Sequence, residues 1–530
     1  MSECRNILYA GLEFSVRRES ELLVETLNES RCFSGSHYLN FRMVLEIILA
    51  SISILCLYLL VTRRPKNFPP GPRGFPLIGY IPFLGENAAE TFRQMKDKYG
   101  PVMSVQVGRD YWVVLNDFES ITEALVNQSE KFSGRVSNFI NDLITKGYGI
   151  AGGDYGPEWK KLKKFGYHAL RGFGFGKKSM EQNINEEAAW LIESLTSTDK
   201  KEFQTKITQA VCNIVNRLTF GTRLDYEDKR FIHMTEVTQK IFSDSREAKV
   251  VALLVMAPSL RFLPNFKQAV KDFVGDFETF LGYFEDIIAD HEADFDEHDI
   301  RDYIDVFLKE MKDRGQNDPS FNKQQLAHFV RDLIDGGTGT TASTLCWIIL
   351  CFANYPDHQE KIYKEILETI GESGIPSMKH QDEMPYTCAF IQEILRHRPV
   401  VPFGILHKTT EEATLNGYTI PKNTIIAPNM WAVHYDSRHF KNPKVFQPER
   451  FLDSNGKFVK PSHVISFSMG PRYCPGENLA RLELFIFLTA IVQKLKVVPD
   501  STNPLPAFES GRFNMMTYES PKFYVKFEQR

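Results

Sequence analysis

The sequence predicts a mainly α-helical protein with a small β region, carried behind a single N-terminal transmembrane helix. Residues 179–220, 265–292 and 325–370 repeat apolar residues at helical spacing broken by Gly and Pro, without strand–helix–strand alternation or internal repeats. Apolar and polar residues alternate from Pro101 to Asp117 across Gly108-Arg109-Asp110, the pattern of a hairpin, and Asp117 then suits the cap of a short helix. Residues 43–62 are almost continuously apolar, and a helix of that length, at about 1.5 Å per residue, matches a hydrocarbon core of about 30 Å.

Composition bounds the function. The 530 residues are 43% hydrophobic and 25% charged, an ordinary globular balance with room for a large core. A net charge of −4 argues against nucleic-acid binding, which needs a basic excess. Eight scattered cysteines with no C-x-x-C pair read as a reduced, cytosol-facing body.

In chain order, residues 1–42 are mixed and polar, have no signal-peptide core, and are expected to be a poorly ordered extension. They contain the sequon Asn28-Glu-Ser30, open to glycosylation if the segment is made and lies in a lumen. Arg63, Arg64 and Lys66 follow the 43–62 span as a cytoplasmic flank, and Glu46 lies one turn inside its other end. Residues 63–76, rich in Pro and Gly, read as a stiff hinge, with residues 77–530 as the catalytic body. Trp159-Lys-Lys-Leu-Lys163 fits an amphipathic helix, and Lys160, Lys161, Lys164, Lys177 and Lys178 concentrate charge nearby. Val250–Met256 with Pro258, Leu260, Phe262 and Leu263 is an apolar patch too short to span a bilayer and suited to core, which the resemblance given below would instead make a membrane-surface loop. Residues 291–299 read as a solvated acidic connection without chemistry.

Asp335-Gly-Gly-Thr-Gly-Thr-Thr341 is unusual for a helix interior, where each Gly costs about 1 kcal/mol, so something is expected to approach the backbone there. Glu393 and Arg396 lie three apart before Pro399 and meet on one helix face. Phe139, Ile140, Val400, Val401, Phe403, Phe513 and Met515 make a mostly apolar candidate pocket wall. Phe467 to Gly476 places Cys474 in a Gly/Pro turn just before an apolar helix. The N-terminal dipole there favours a thiolate, Gly476 leaves a flat macrocycle unobstructed, and Arg472 offers a fork for a carboxylate.

These ten residues resemble, without a departure, the Phe-x-x-Gly-x-Arg-x-Cys-x-Gly signature of the cytochrome P450 family. The resemblance covers about residues 68–530, with four motifs in family order and phrasing most similar to the microsomal family 2 branch. It implies haem b with Cys474 as the axial thiolate, which favours O–O cleavage, and with Phe467 and Arg472 in the cofactor loop. Trp159 and Lys163 resemble the Trp-x-x-x-Arg that binds a haem propionate, with lysine losing the bidentate fork. His407 resembles a further propionate contact. Thr340 matches the distal-helix threonine that helps deliver protons, with Thr341 beside it. Gly339 stands where the pattern has an acid, and Asp335, four residues earlier, is a candidate replacement or a partner for a cationic substrate. Glu393, Arg396 and Pro448-Glu-Arg-Phe451 resemble a structural charge cluster. The implied activity is oxygen insertion into a lipophilic substrate at the endoplasmic reticulum membrane, body facing the cytosol. Electrons would come from NADPH through a flavoprotein reductase, with cytochrome b5 as a second candidate donor. Microsomal members usually begin shortly before the span, so Met43 is a candidate start. Peroxide rearrangement without dioxygen and non-catalytic haem-based sensing or ligand carriage are the rival readings.

Overall fold

The computed structural model describes residues 41–53, 64–75, 78–136, 139–172, 178–197, 203–242, 250–251, 253–255, 258–315, 318–514 and 516–530. The chain divides into two compact units, Met1–Pro65 and Lys66–Arg530. In the first, residues 41–53 are helical with Phe41, Met43, Ile47 and Ile52 exposed, as the predicted span requires over its first half. The remainder of that span, residues 54–62, and the extension with its sequon lie outside the described residues.

The second unit is mostly helical. Its longer helices are α1 (Ala88–Tyr99), α2 (Phe139–Thr145), α3 (Pro157–Gly172), α4 (Lys178–Ser197), α5 (Phe203–Phe220), α6 (Lys229–Phe242), α7 (Pro264–Ala293) and α8 (Tyr303–Arg314). They are followed by α9 (Lys323–Asn354), α10 (Pro356–Thr369), α11 (Pro385–His397) and α12 (Glu477–Lys494). Local chemistry sets their ends: the side chains of Asn87, Asp302 and Asn322 accept from backbone N–H groups of the first turns of α1, α8 and α9. Pro356 and Pro385 occupy first-turn positions where no N–H is needed. Pro356 also explains why the periodic stretch 325–370 divides into α9 and α10.

α9 is the central helix. It is long and apolar enough to cross a bilayer, but 78% of its most apolar window is buried inside the protein, so it is core. Residues Thr341–Ala353 are buried on every side, and α5 crosses it so closely that a Cβ on Gly337 would lie 2.8 Å from Val215.

The β region begins with the predicted hairpin, β1 (Val102–Val107) and β2 (Asp110–Leu115), paired antiparallel from Val102↔Leu115 to Val107↔Asp110. Asp117 caps the following turn through Ser120 N, as expected. With β3 (Gly134–Arg135), β4 (His407–Lys408) and β7 (Ile425–Pro428) they form a sheet ordered β1-β2-β7-β4-β3. β2 and β7 are its parallel pair. Two-stranded sheets join β5 (Ala413–Leu415) to β6 (Tyr418–Ile420), β8 (Leu495–Pro499) to β11 (Val525–Gln529), and β9 (Arg512–Phe513) to β10 (Tyr518–Glu519).

The proline-rich segment is less of a hinge than its composition suggests. Asn67 Nδ2 donates to Gly417 O at 2.8 Å, and Thr419 N donates to Asn67 O at 2.9 Å. Ser104 donates its N–H to Pro70 O and its hydroxyl to Pro69 O, both at 2.7 Å. Gly71 lies against β1 where a Cβ would stand 1.7 Å from Ser104 O. Backbone pairing thus ties residues 67–71 to the body. The acidic connection is likewise more ordered than expected: His291 bonds Asp302 at 2.8 Å, and Arg301 grips Asp294 and Asp305.

The Glu393–Arg396 pair on α11 is fully buried and bidentate, at 2.7 and 2.8 Å. Arg396 also donates to the carbonyls of His434 and Pro443, while Glu393 accepts from Arg450 at 3.1 Å and from Gln447 N at 2.9 Å. Every partner is satisfied, so the cluster ties α11 to the segment that leads into the cysteine loop. Arg396→Ala leaves a buried carboxylate without its fork. The expected loss is about 3–5 kcal/mol of stability, read as a lower thermal midpoint by circular dichroism, with Arg396→Lys intermediate.

Candidate functional site

The cysteine loop is held by close backbone approach. Gly470 has φ 73° and opens a short turn, Gly470–Arg472; a Cβ there would fall 1.8 Å from Leu125 O, so both conformation and space demand glycine. Cys474 N donates to Phe467 O at 3.0 Å, which closes the loop, and α12 begins three residues later. Phe467 lies under the Arg481 guanidinium, 5.2 Å from ring centre to charge. Gly476 leaves the sulfur clear: a Cβ would meet only Cys474 Sγ, at 3.8 Å.

The N–H groups of Gly476 and Glu477 favour the Cys474 thiolate, as expected; in the chain alone burial and Glu477 oppose them, and the thiol is pushed up to about 11. A metal at this sulfur must displace a proton.

Around the loop stand three cations that form no ion pair among the described residues, with Asp154 attracting Arg472 from farther off. Arg472 donates to the carbonyls of Ser133, Ile150 and Gly153 at 2.8–3.2 Å. Arg135, on β3, donates to those of Ala151, Ile405 and Leu406 at 3.0–3.3 Å. Lys163, on α3, donates to Pro471 O. Burial depresses all three: Arg472 to about 10, Arg135 well below its ordinary value, and Lys163 downward, with mutual repulsion adding to the effect on Arg135 and Lys163. Trp159 donates its indole N–H to Ile150 O at 2.9 Å and lies 3.9 Å beneath the Arg472 guanidinium. His407 bonds Phe132 O at 2.8 Å; burial and Arg135 keep its ring neutral. The loop therefore brings Trp159, Lys163, His407, Phe467, Arg472 and Cys474 together, as read from the sequence. Arg135 was missed, because Gly134-Arg135 carries no local pattern and reaches the cluster through sheet pairing.

On α9, Gly336 and Thr340 turn to an open side: a Cβ on Gly336 would meet no atom within 4 Å. The Thr340 hydroxyl donates to Gly336 O at 2.8 Å, so its oxygen presents lone pairs to that space. The glycines are not all there to make room, since Gly337 packs on Val215. Thr341 is buried on another side of the helix, against Glu483 of α12, whose carboxyl burial pushes well up. Asp335 lies 3.8 Å from Arg331, with Oδ1 unpartnered and Thr238 nearby, around the helix from Thr340.

A soft sulfur, a flat approach above it and buried cations that want an anion fit a planar metal macrocycle bearing carboxylates. Arg472→Leu is expected to lower the haem retained per chain after dialysis severalfold, while far-ultraviolet circular dichroism stays unchanged. Full retention would mean that the guanidinium serves only the loop.

A sequence profile of the cytochrome P450 family matches residues 69–527. The chain is 34% identical to cytochrome P450 2H2 of Gallus gallus, over 87% of this chain and 94% of that one. It is 35% identical to cytochrome P450 2C8 of Homo sapiens over 87% and 94%, and 35% identical to cytochrome P450 2U1 of Homo sapiens over 87% and 89%. The chain therefore belongs to the cytochrome P450 family of monooxygenases, whose haem iron is held by a cysteine thiolate.

Proposed function

We propose that the protein is a membrane-anchored monooxygenase at the endoplasmic reticulum. It places one atom of dioxygen into a lipophilic fatty acid, steroid or xenobiotic, with electrons from NADPH through a flavoprotein reductase. The observation that carries this reading is the Cys474 loop ringed by Arg135, Lys163 and Arg472, and the open Gly336–Thr340 side of α9 is consistent with it. Cys474 would hold the iron, and Arg135, Trp159, Lys163, His407 and Arg472 would hold the carboxylates. Bound haem supplies the activation and splitting of dioxygen; the chain supplies position, dryness and protons.

The apolar residues expected to wall a pocket support a lipophilic substrate. Ile140, Val400 and Phe403 are buried, Phe139 and Val401 partly so, and Phe513 meets Phe403 edge-on at 5.8 Å. Met515 lies outside the described residues. Thr340 Oγ1, held by Gly336 O, is the acceptor at the groove. Asp335 is a second proton holder: burial pushes its carboxyl up to about 7 against the pull of Arg331, and Gly339 leaves the usual acid position without a side chain. Thr341 and Glu483 support the helix from behind.

Anchoring is supported by the helix at 41–53 and by the patch at 250–263, which is divided in two: Val251 and Leu254 are core, while Leu253, Phe262 and Leu263 are exposed. For the reductase, Lys164 is exposed, but Lys160 and Lys161 are paired with Glu130 and Asp318, and Lys177 lies outside the described residues. Docking therefore rests on fewer free charges than the sequence count implies.

Cys474→Ala is expected to lose the thiolate-type red shift of the ferrous–CO Soret band; retention of that band would move the ligand elsewhere. Gly339 favours one rival, rearrangement of a peroxide without dioxygen. Product formation that needs both NADPH and O2 excludes it, and turnover of a hydroperoxide without either establishes it.

A further inference from the structure

His291, in the last turn of α7, faces an acceptor at each ring nitrogen. Nδ1 lies 2.8 Å from the carbonyl oxygen of Ile287, one turn back, and Nε2 lies 2.8 Å from Oδ2 of Asp302. A neutral imidazole donates from one nitrogen only, and a carbonyl or a carboxylate only accepts. Both bonds therefore exist together only when the His291–Asp302 pair holds one proton more than a neutral ring beside a carboxylate. The count is the same whether that proton rests on Nε2 or on Oδ2.

Asp302 stands where three helices meet. It is 2% exposed, its other oxygen accepts from Asp305 N to cap α8, and a Cβ on Gly221, just past the end of α5, would stand 3.3 Å from its Oδ2. The neighbouring charges are answered separately. Arg301 pairs with Asp294 at 2.8 Å and with Asp305 at 2.7 Å, and Lys323 of α9 pairs with Glu292 at 2.7 Å. Among the described residues, His291 alone lies within ion-pair distance of Asp302. Burial opposes charge on the ring, but Asp302, Ile287 O and Asp305 outweigh it and hold His291 above its ordinary value. The ligand atoms of His291, Asp302 and Asp305 lie within 4.8 Å of one another, as a metal site would need. Here the positive charge is already supplied: Arg301 donates to both oxygens of Asp305, and the shared proton joins the other two groups.

We propose that His291 and Asp302 form a proton-held clasp that pins the C-terminal end of α7 to the start of α8 and releases it as pH rises. α7 is 30 residues long and begins directly after the exposed Phe262 and Leu263, so the clasp fixes the far end of the helix that leaves that apolar patch. The sign follows from the direction in which His291 is held. In the unfolded chain a histidine titrates near about 6.5. The clasp contributes in full below that value and is lost as pH climbs through the higher folded one. Acid therefore tightens the junction of α5, α7 and α8, and mild alkali loosens it, whatever reaction the Cys474 site performs.

The test follows backbone amide hydrogen exchange across residues 287–305 of the haem-loaded full chain, from about pH 6 to about pH 9, corrected for the intrinsic pH dependence of exchange. Opening of this segment is expected to increase severalfold over that range, by at most about tenfold per pH unit for one proton lost. The buried stretch Thr341–Ala353 of α9 is expected to stay unchanged. Asp302→Asn keeps a side chain able to cap α8 and is expected to abolish the pH dependence. His291→Gln donates from its amide at every pH and is expected to do the same. Each variant gives the readout should the other not fold. A native segment whose opening does not vary with pH, or a pH dependence that survives in both variants, overturns the proposal. So does protection that rises with micromolar Zn2+ in the native chain and not in His291→Gln, which would make the three-residue group a metal site.

Discussion

Three cations taken out of water and hydrogen-bonded, among the described residues, to carbonyl oxygens set the terms for this site. Arg135, Arg472 and Lys163 come from a strand, a loop and a helix that are far apart in sequence, and each is weakened by burial. Carbonyl dipoles pay part of that desolvation cost, and a dicarboxylate between them would offset much of the rest. The arrangement couples cofactor and fold: the same guanidinium that would grip a carboxylate pins Ser133, Ile150 and Gly153, and so the approach of α3 to the cysteine loop. A satisfied pair elsewhere makes the contrast clear. Glu393 and Arg396 are equally buried, yet every donor and acceptor of theirs is met within the chain, and the cluster is architecture.

Local chemistry made much of this legible in advance. The hairpin across Gly108, the cap at Asp117, the pairing of Glu393 with Arg396 and the turn before α12 all depend on neighbours in sequence, and all are found. What depends on distant neighbours was not legible. The Cys474 thiol lies high because burial by the whole body outweighs two nearby N–H groups, a balance that spacing cannot show. Arg135 and Glu483 carry no motif; each gains its meaning from an element brought against it across more than a hundred residues. The glycines of α9 looked alike in sequence, and packing separates them into one facing open space and one facing Val215.

α9 thus serves two purposes with one geometry. Its buried half is as apolar as a membrane helix and fixes the core. Where that half begins it carries hydroxyls at Thr340, Thr341 and Ser343, pointing in different directions and matched to different elements. Only Thr340 stays at the groove; Thr341 is turned to α12 and Ser343 to the terminal hairpin. A single helix therefore fixes the relative positions of the open side, α12 and the terminal hairpin.

The ties at Asn67, Pro69, Pro70 and Gly71 carry a mechanical consequence. The chain enters the body alongside β1 and is clipped to the β5–β6 hairpin on the way. A pull on Lys66 would load these bonds first, so strain entering there would reach the sheet before any loop around the cysteine.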